Sequence, residues 1–161
     1  MIRRPFSLLL LGCSACASNS HEWRLEGTAG SDERAAIQTS FGEWCERSDG
    51  KHCDTITGDG DSKITMASTW HPGTMGQLFV DVSQDGSTAS AEIRLRTDRD
   101  KPDWLERLRR VTLHELGHWY RDRSGHLGPG NVMAPCYGDI EHLTDADLTD
   151  EYQDIEGCGG S

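Results

Sequence analysis

The chain has 161 residues, 35% of them hydrophobic, which is enough for one domain with a single core of ordinary size. Its formal net charge is −11, from 27 acidic and 16 basic side chains. Such an excess of negative charge argues against nucleic acid and anionic membrane surfaces as partners.

Residues 1–17 have the pattern of an export leader. Arg3-Arg4 supplies a positive start, and a short apolar run and small residues come after it. The run is too short to cross a bilayer as a helix. A lipobox-like sequence would leave a lipid anchor on Cys13, whereas Ala15-Cys16-Ala17 offers an alternative cleavage site. We predict export from a bacterial cell, to the periplasm, the medium or the outer membrane, with 18–161 as one domain.

Cleavage after Ala17 would leave four cysteines, and an even number in an oxidising compartment favours disulfides. Four cysteines allow three pairings. Pairing of the first two would close a local loop, and pairing of the last two would hold the C-terminal tail, although free buried thiols stay open. None has C-x-x-C spacing, so we do not expect cysteine ligation of a metal. The four are Cys45, Cys53, Cys136 and Cys158.

In the first half of the domain, the sequence predicts a strand, a helix and several short strands. Residues 21–26 alternate in hydrophobicity, which indicates a strand. Ser31 is a good N-cap, and the apolar residues after it recur at helical spacing, so a helix is predicted there. Gln77–Val82 and Ala91–Arg96 alternate as well and are joined across Asp85-Gly86, a hairpin-type sequence.

An acidic turn, Gly58–Asp61, separates two of the short strands. Asp59 and Asp61 could help to bind calcium, because that ion takes oxygen ligands. The chain lacks the full twelve-residue calcium-loop pattern, which favours a solvated turn instead.

A long helix is predicted after Pro102. Asp103 to Glu106 has the form of a capping box, and apolar residues recur on one face of the predicted helix. Gly117 in mid-helix costs about 1 kcal/mol relative to alanine, so we expect it to permit the close approach of another backbone. Thr144 and Asp147 form a second capping box, which predicts a final helix near the C terminus.

The long helix carries the sequence His114-Glu115-Leu116-Gly117-His118. The two histidines lie one turn apart on the same face, so both can reach one metal ion. A catalytic zinc takes neutral imidazole nitrogens and keeps a position open for a water, whose pKa it lowers to about 7. Glu115 can remove the proton of that water as it attacks a carbonyl. The spacing is that of a zinc peptidase.

From residue 102 to about 156 the chain resembles the metzincin zinc endopeptidases, and most of all their matrixin branch. The resemblance implies that His114, His118 and His126 bind zinc and that Glu115 is the general base. It also implies an α+β fold, in which a small mixed sheet is combined with an N-terminal helix, a zinc-binding helix, a methionine turn and a C-terminal helix. The whole of 18–161 would be one catalytic domain.

The same resemblance assigns roles to residues on either side of the zinc ligands. Met133 matches the turn methionine beneath the metal. Pro135 and Tyr137 match the Pro-x-Tyr segment that walls the main specificity pocket in matrixins. Ala91–Arg96 would be the edge strand that holds an extended peptide by main-chain hydrogen bonds.

The chain departs from the metzincin pattern HExxHxxGxxH in one place. Gly125-His126 comes two residues later than the pattern requires, which we interpret as a two-residue insertion in the turn. Asp122 and His142 remain open as alternative third ligands, because zinc accepts carboxylate and imidazole alike. Glu141 would serve instead in another class of zinc peptidase.

The sequence supports two hypotheses of different class. The first is an exported, monomeric zinc endopeptidase that acts on a protein or peptide. The second is a zinc-stabilised surface-binding module without catalysis, in which a fourth protein ligand would close the site. Retention of Glu115 argues against the second, because a structural site has no use for a carboxylate that activates water.

Overall fold

A computed structural model describes residues 20–67, 74–84, 88–121, 125–128, 130–135 and 142–148. The elements occur in the order β1 (Glu22–Glu26), α1 (Ser31–Arg47), β2 (Thr55–Thr57), β3 (Ser62–Ala67), β4 (Gly76–Val82), β5 (Thr88–Arg96), α2 (Trp104–Tyr120) and a 3-10 helix (Ala146–Leu148). No helix in these ranges is both long enough and apolar enough to cross a membrane.

The strands form one five-stranded mixed sheet in the order β2-β1-β3-β5-β4. Neighbours pair in parallel, except that β4 runs antiparallel to β5. The sheet and the two helices confirm the predicted α+β class with a small mixed sheet, and the β4–β5 pairing confirms the predicted hairpin.

The prediction of the edge strand was wrong. Ala91–Arg96 lies in β5, which is paired with β3 on one side and with β4 on the other. The outer strand is β4, Gly76–Val82. Both segments alternate in hydrophobicity, and a local pattern does not report which of two paired strands is also paired elsewhere.

The core lies between the sheet and the helices. Alternate residues of the strands point inward, among them Trp23, Ile64 and Ile93, and all three are fully buried. Their sequence neighbours carry charge and form ion pairs on the other face of the sheet, as Lys63 does with Glu92. This is the pattern of a sheet with one face covered by helices.

The helix α2 is fixed against α1 by hydrogen bonds from side chains of α1. The indole Nε1 of Trp44 donates to the carbonyl of Leu113 at 2.9 Å, and the hydroxyl of Ser40 donates to the carbonyl of Arg109 at 2.9 Å. Both carbonyls belong to α2, so α1 holds that helix in a defined rotation.

Both predicted helix starts differ from the structure in their capping. The N-cap of α1 is Gly30 and not Ser31, and its N–H donates to the carboxylate of Glu33 at 2.6 Å. Asp103 does occupy the N-cap of α2, but its side chain makes no capping bond. Its carboxylate instead accepts from Arg107 Nε at 2.7 Å, because the guanidinium is a stronger partner than a backbone amide.

The C-terminal end of α2 is tied to the start of the sheet by Asp54. One oxygen of this carboxylate accepts from the indole nitrogens of Trp23, at 3.0 Å, and Trp119, at 2.9 Å. The other accepts the backbone N–H of His21 at 2.8 Å.

Cys45 and Cys53 form a disulfide, with Cα atoms 4.4 Å apart. This is the local pairing among those that the sequence allows.

Several predictions fall outside the described residues. These are the leader and its Cys13, the Asp85-Gly86 turn, and the partners Cys136 and Cys158. The described part of the predicted C-terminal helix is the 3-10 helix, and the residues after 148 lie outside the description.

Candidate metal centre

Three histidine side chains come together at the end of α2. His114 and His118 lie one turn apart on the helix, and His126 lies on the segment after it. One ring nitrogen of each histidine lies within 4.8 Å of one on each of the other two, and this is the one such metal-ligating group among the residues described. The structure thus brings together the three side chains that the sequence resemblance selects.

The spacing of the nitrogens suits one ion. The Nε2 atoms of His114 and His118 are 3.1 Å apart. Two nitrogens on a tetrahedral zinc, each about 2.0–2.1 Å from the metal, lie roughly 3.3 Å from each other. The ring of His126 is 5.3 Å from that of His114 and 4.9 Å from that of His118, centroid to centroid. The donor set is therefore three imidazoles, the set found in catalytic zinc sites.

Val132 orients the first of the three rings. The carbonyl of Val132 lies 2.8 Å from Nδ1 of His114, which therefore carries the proton and donates. Nε2 is left with a lone pair for a metal, and such a bond from the second ring nitrogen is usual in metal sites. Burial, with a smaller contribution from the nearby His118, lowers the pKa of His114 to about 3. The ring is thus neutral, as a ligand must be.

Glu115 lies on the side of α2 that faces strand β4. Its side chain is 3% exposed, and it accepts a hydrogen bond from the backbone N–H of Leu78. Burial raises the pKa of this carboxyl to about 8, although the Leu78 N–H acts in the opposite direction. A carboxyl group whose pKa lies near neutrality, held by one backbone donor beside the histidines, can both accept and return a proton.

Met133 is fully buried against the last turn of α2, at Gly117. A β-carbon on Gly117 would overlap the sulfur of Met133 and would lie 2.8 Å from its Cε. The glycine therefore admits a methionine side chain, whereas the sequence had led us to expect a backbone. Met133 lies one residue after Val132, so the same short turn packs against α2 and holds the ring of His114.

Asp147 holds this turn in place. Its fully buried carboxylate accepts the backbone N–H of Met133 at 3.0 Å and that of Thr144 at 2.7 Å. The carbonyl of Met133 in turn accepts the N–H of Leu127, the residue after His126, at 2.9 Å. The sequence pattern identified Asp147 only as a capping residue, and its contacts with Thr144 do have that reciprocal form. Its bond to Met133 had no sequence signature.

Of the three alternative third ligands, the structure describes only His142. The side chain of His142 is 74% exposed and lies 3.4 Å from the carboxylate of Glu43 on α1, outside the three-histidine group. Asp122 and Glu141 lie outside the described residues.

The structure does not test the predicted specificity pocket, and it gives no support for a calcium site. Pro135 is half-buried close to Met133 in sequence, and Tyr137 lies outside the described residues, so the pocket that they were expected to wall stays a prediction. Asp59 and Asp61 belong to no group of three or more ligating side chains in the part of the chain described, and the calcium expectation therefore has no support.

Comparison with known proteins shows the fold. No family model matches the chain, and no curated protein is similar in sequence. Among solved structures, the chain is similar to archaemetzincin from Methanopyrus kandleri, with a TM-score of 0.52 and 16% sequence identity. The similarity covers 84% of this chain and 94% of that one. The two chains thus share an architecture, and that protein's name places it with the metzincins.

Proposed function

We propose that the protein is a zinc-dependent endopeptidase of the metzincin kind. The observation that carries the proposal is the convergence of His114, His118 and His126, with the carboxylate of Glu115 next to the first of them on the same helix. The fold shared with an archaemetzincin supports it. The matrixin-like assignment is a finer proposal that rests on the sequence resemblance alone.

The chain's own residues supply ligands and a proton carrier. The three imidazoles would hold zinc, which supplies a Lewis acid for the scissile carbonyl and lowers the pKa of a water. The carboxylate of Glu115 would take the proton from the attacking water and pass it to the nitrogen of the leaving amine. Val132 and Asp147 contribute by fixing the orientation of His114 and the turn beneath it.

The outer edge of β4 is suited to bind the substrate backbone. The N–H of Arg96 on β5 donates to the carbonyl of Met75 at 2.8 Å, which makes this a hydrogen-bonded pair. Because such pairs alternate along an antiparallel ladder, the backbone groups of Gly76, Leu78 and Val80 point away from β5. No described strand pairs along that side. An extended peptide could add there as a further strand, beside Glu115.

We also propose that the protein works outside the cytoplasm as a monomer. The disulfide between Cys45 and Cys53 supports an oxidising compartment, since such bonds are rare where thiols are kept reduced. The leader pattern in 1–17 supports export, and a lipid on Cys13 would keep the domain at a membrane surface.

Peptide cleavage with and without a chelator tests the proposal. The purified protein should cleave casein or members of a peptide library, and a chelator should abolish the cleavage until zinc is restored. Glu115→Gln should keep zinc but lose at least ~10²-fold in rate, because the general base is gone. Zinc binding without any cleavage would instead favour the non-catalytic binding module.

A further inference from the structure

Gly76 at the start of β4 touches the part of α2 that carries Glu115. A β-carbon on this glycine would overlap Cγ1 of Val111 and would lie 2.7 Å from Oε1 and 2.9 Å from Cγ of Glu115. Any other residue at this position would push the strand away from the helix or displace the two side chains. At Gly76, β4 and α2 therefore lie too close together to admit a β-carbon without a shift.

This close approach brings one backbone donor to Glu115. Leu78 lies two residues further along β4, and its N–H points away from β5 and bonds the carboxylate of Glu115. The carboxylate is almost completely buried, so this amide replaces hydration that the group has lost. The bond uses one of the outward amides of the strand that we propose to bind substrate.

We propose that Gly76 and the Leu78 amide are positioning elements for the general base. Gly76 lets β4 lie against α2, and the Leu78 N–H then fixes the carboxylate of Glu115 in one rotamer, which leaves its second oxygen available for the proton. The inference rests on the proposed function, because it gives these groups a role in catalysis. The competing explanation is that Gly76 only allows good packing against Val111.

Three variants separate the two roles. Gly76→Ala moves the strand and the carboxylate together. Gly76→Ala with Val111→Ala removes the overlap with valine but keeps the overlap with Glu115. Leu78→Pro deletes the donor, together with a partly buried side chain, and it breaks no ladder bond, because the Leu78 N–H points away from β5. Gly58→Ala is the matched control, since a β-carbon there meets no atom within 4 Å.

The kinetic readout is the separation of kcat from KM. In Gly76→Ala and Leu78→Pro we expect kcat to fall about 10–100-fold at nearly unchanged KM and zinc content, since a misplaced catalytic group costs rate at that scale. The double variant should regain thermal stability without regaining kcat. Full recovery of kcat in the double variant, or unchanged kcat in both single variants, would overturn the proposal. Loss of zinc or of folding in both single variants would also overturn the proposal and would favour a structural role.

Amide hydrogen exchange supplies a readout that does not depend on activity. An outward amide of an edge strand exchanges quickly unless a side chain accepts its hydrogen bond. We expect the Leu78 amide of the metal-free protein to exchange at least ~10-fold faster in Gly76→Ala and in Glu115→Ala than in the wild type. Gly58→Ala should leave the rate unchanged. Equal rates in all four proteins would show that the bond does not hold Glu115.

A wild-type protein without chelator-sensitive cleavage would refute the proposed function. A wild type that cleaves, combined with Gly76→Ala and Leu78→Pro variants of equal kcat, would refute the positioning role alone. The two failures are thus distinct.

Discussion

The sulfur of Met133 lies where a β-carbon on Gly117 would have to be. Gly117 precedes the second histidine of α2 by one residue, and Met133 comes directly after Val132, whose carbonyl holds the first histidine. One buried contact therefore sets how close the turn lies to the helix, and with it the position of the carbonyl that orients the ring of His114.

The first prediction concerns Gly117→Ala. The added methyl group must displace Met133, and overpacking of this kind destabilises by about 1–3 kcal/mol. Gly42→Ala is the matched control, because it is also a helical glycine and a β-carbon there meets no atom within 4 Å. That change should stabilise by about 0.5–1 kcal/mol. Urea unfolding of the two variants should show opposite signs, and the same sign for both would contradict the packing at Gly117.

The second prediction concerns Asp147→Ala. Its loss leaves the buried N–H groups of Met133 and Thr144 without their acceptor, and each such group costs about 1–3 kcal/mol. Thermal unfolding should show this loss, and a zinc titration should show weaker binding as the turn loosens. Asp145→Ala is the control, because that side chain is 98% exposed. Equal behaviour of the two alanine variants would rule out the anchoring role of Asp147.

The third prediction assigns the third ligand. His126→Ala should lower zinc affinity at least ~10-fold, since the site would keep only two imidazoles. His142→Ala should not change it, because that ring lies against Glu43 and outside the group. Competition with a fluorescent zinc chelator measures both. Weaker binding in the His142 variant, with unchanged binding in the His126 variant, would transfer the ligand role to His142.

The fourth prediction concerns Glu33 and the pH. Burial alone would raise the pKa of Glu33, but the bond from Arg99 Nε at 2.6 Å and the N–H of Gly30 leave it below the ordinary value of 4.5. A lowered folded-state pKa means that the ionised group stabilises the fold above pH 4.5 and that this contribution disappears as the pH falls toward the folded-state value.

Urea unfolding across this pH range checks the sign. The stability difference between the wild type and Glu33→Gln should be largest near neutral pH and should shrink below pH 4.5. Glu22→Gln, on an exposed side chain, controls for the lost charge. A difference that grows on acidification would show that Glu33 carries no such bond.

The parts of the molecule that could be predicted from sequence are those with a local cause. Helical spacing placed His114 and His118 on one face of α2, and alternation found the two strands of the β4–β5 hairpin. Such patterns are set by the geometry of a single element. Such local patterns predict both the secondary-structure elements and the candidate metal ligands without any knowledge of tertiary contacts.

The parts that escaped prediction depend on contacts between distant segments. The position of β5 inside the sheet is set by its pairing with β3, about thirty residues earlier. The roles of Gly76 and Asp147 likewise arise from the residues that pack against them, and neither residue has a local pattern that reveals its partner. Gly117 lies between the two cases, because its place in mid-helix signals a close approach but not the residue that approaches.

The central claim is that three imidazoles converge on one zinc ion. A crystal structure of the zinc-loaded protein, with anomalous data collected at the zinc absorption edge, measures this directly. We expect a single anomalous peak about 2.0–2.1 Å from a ring nitrogen of each of His114, His118 and His126. A peak held by other side chains, or a ring of His126 that points away from the other two, would contradict the account.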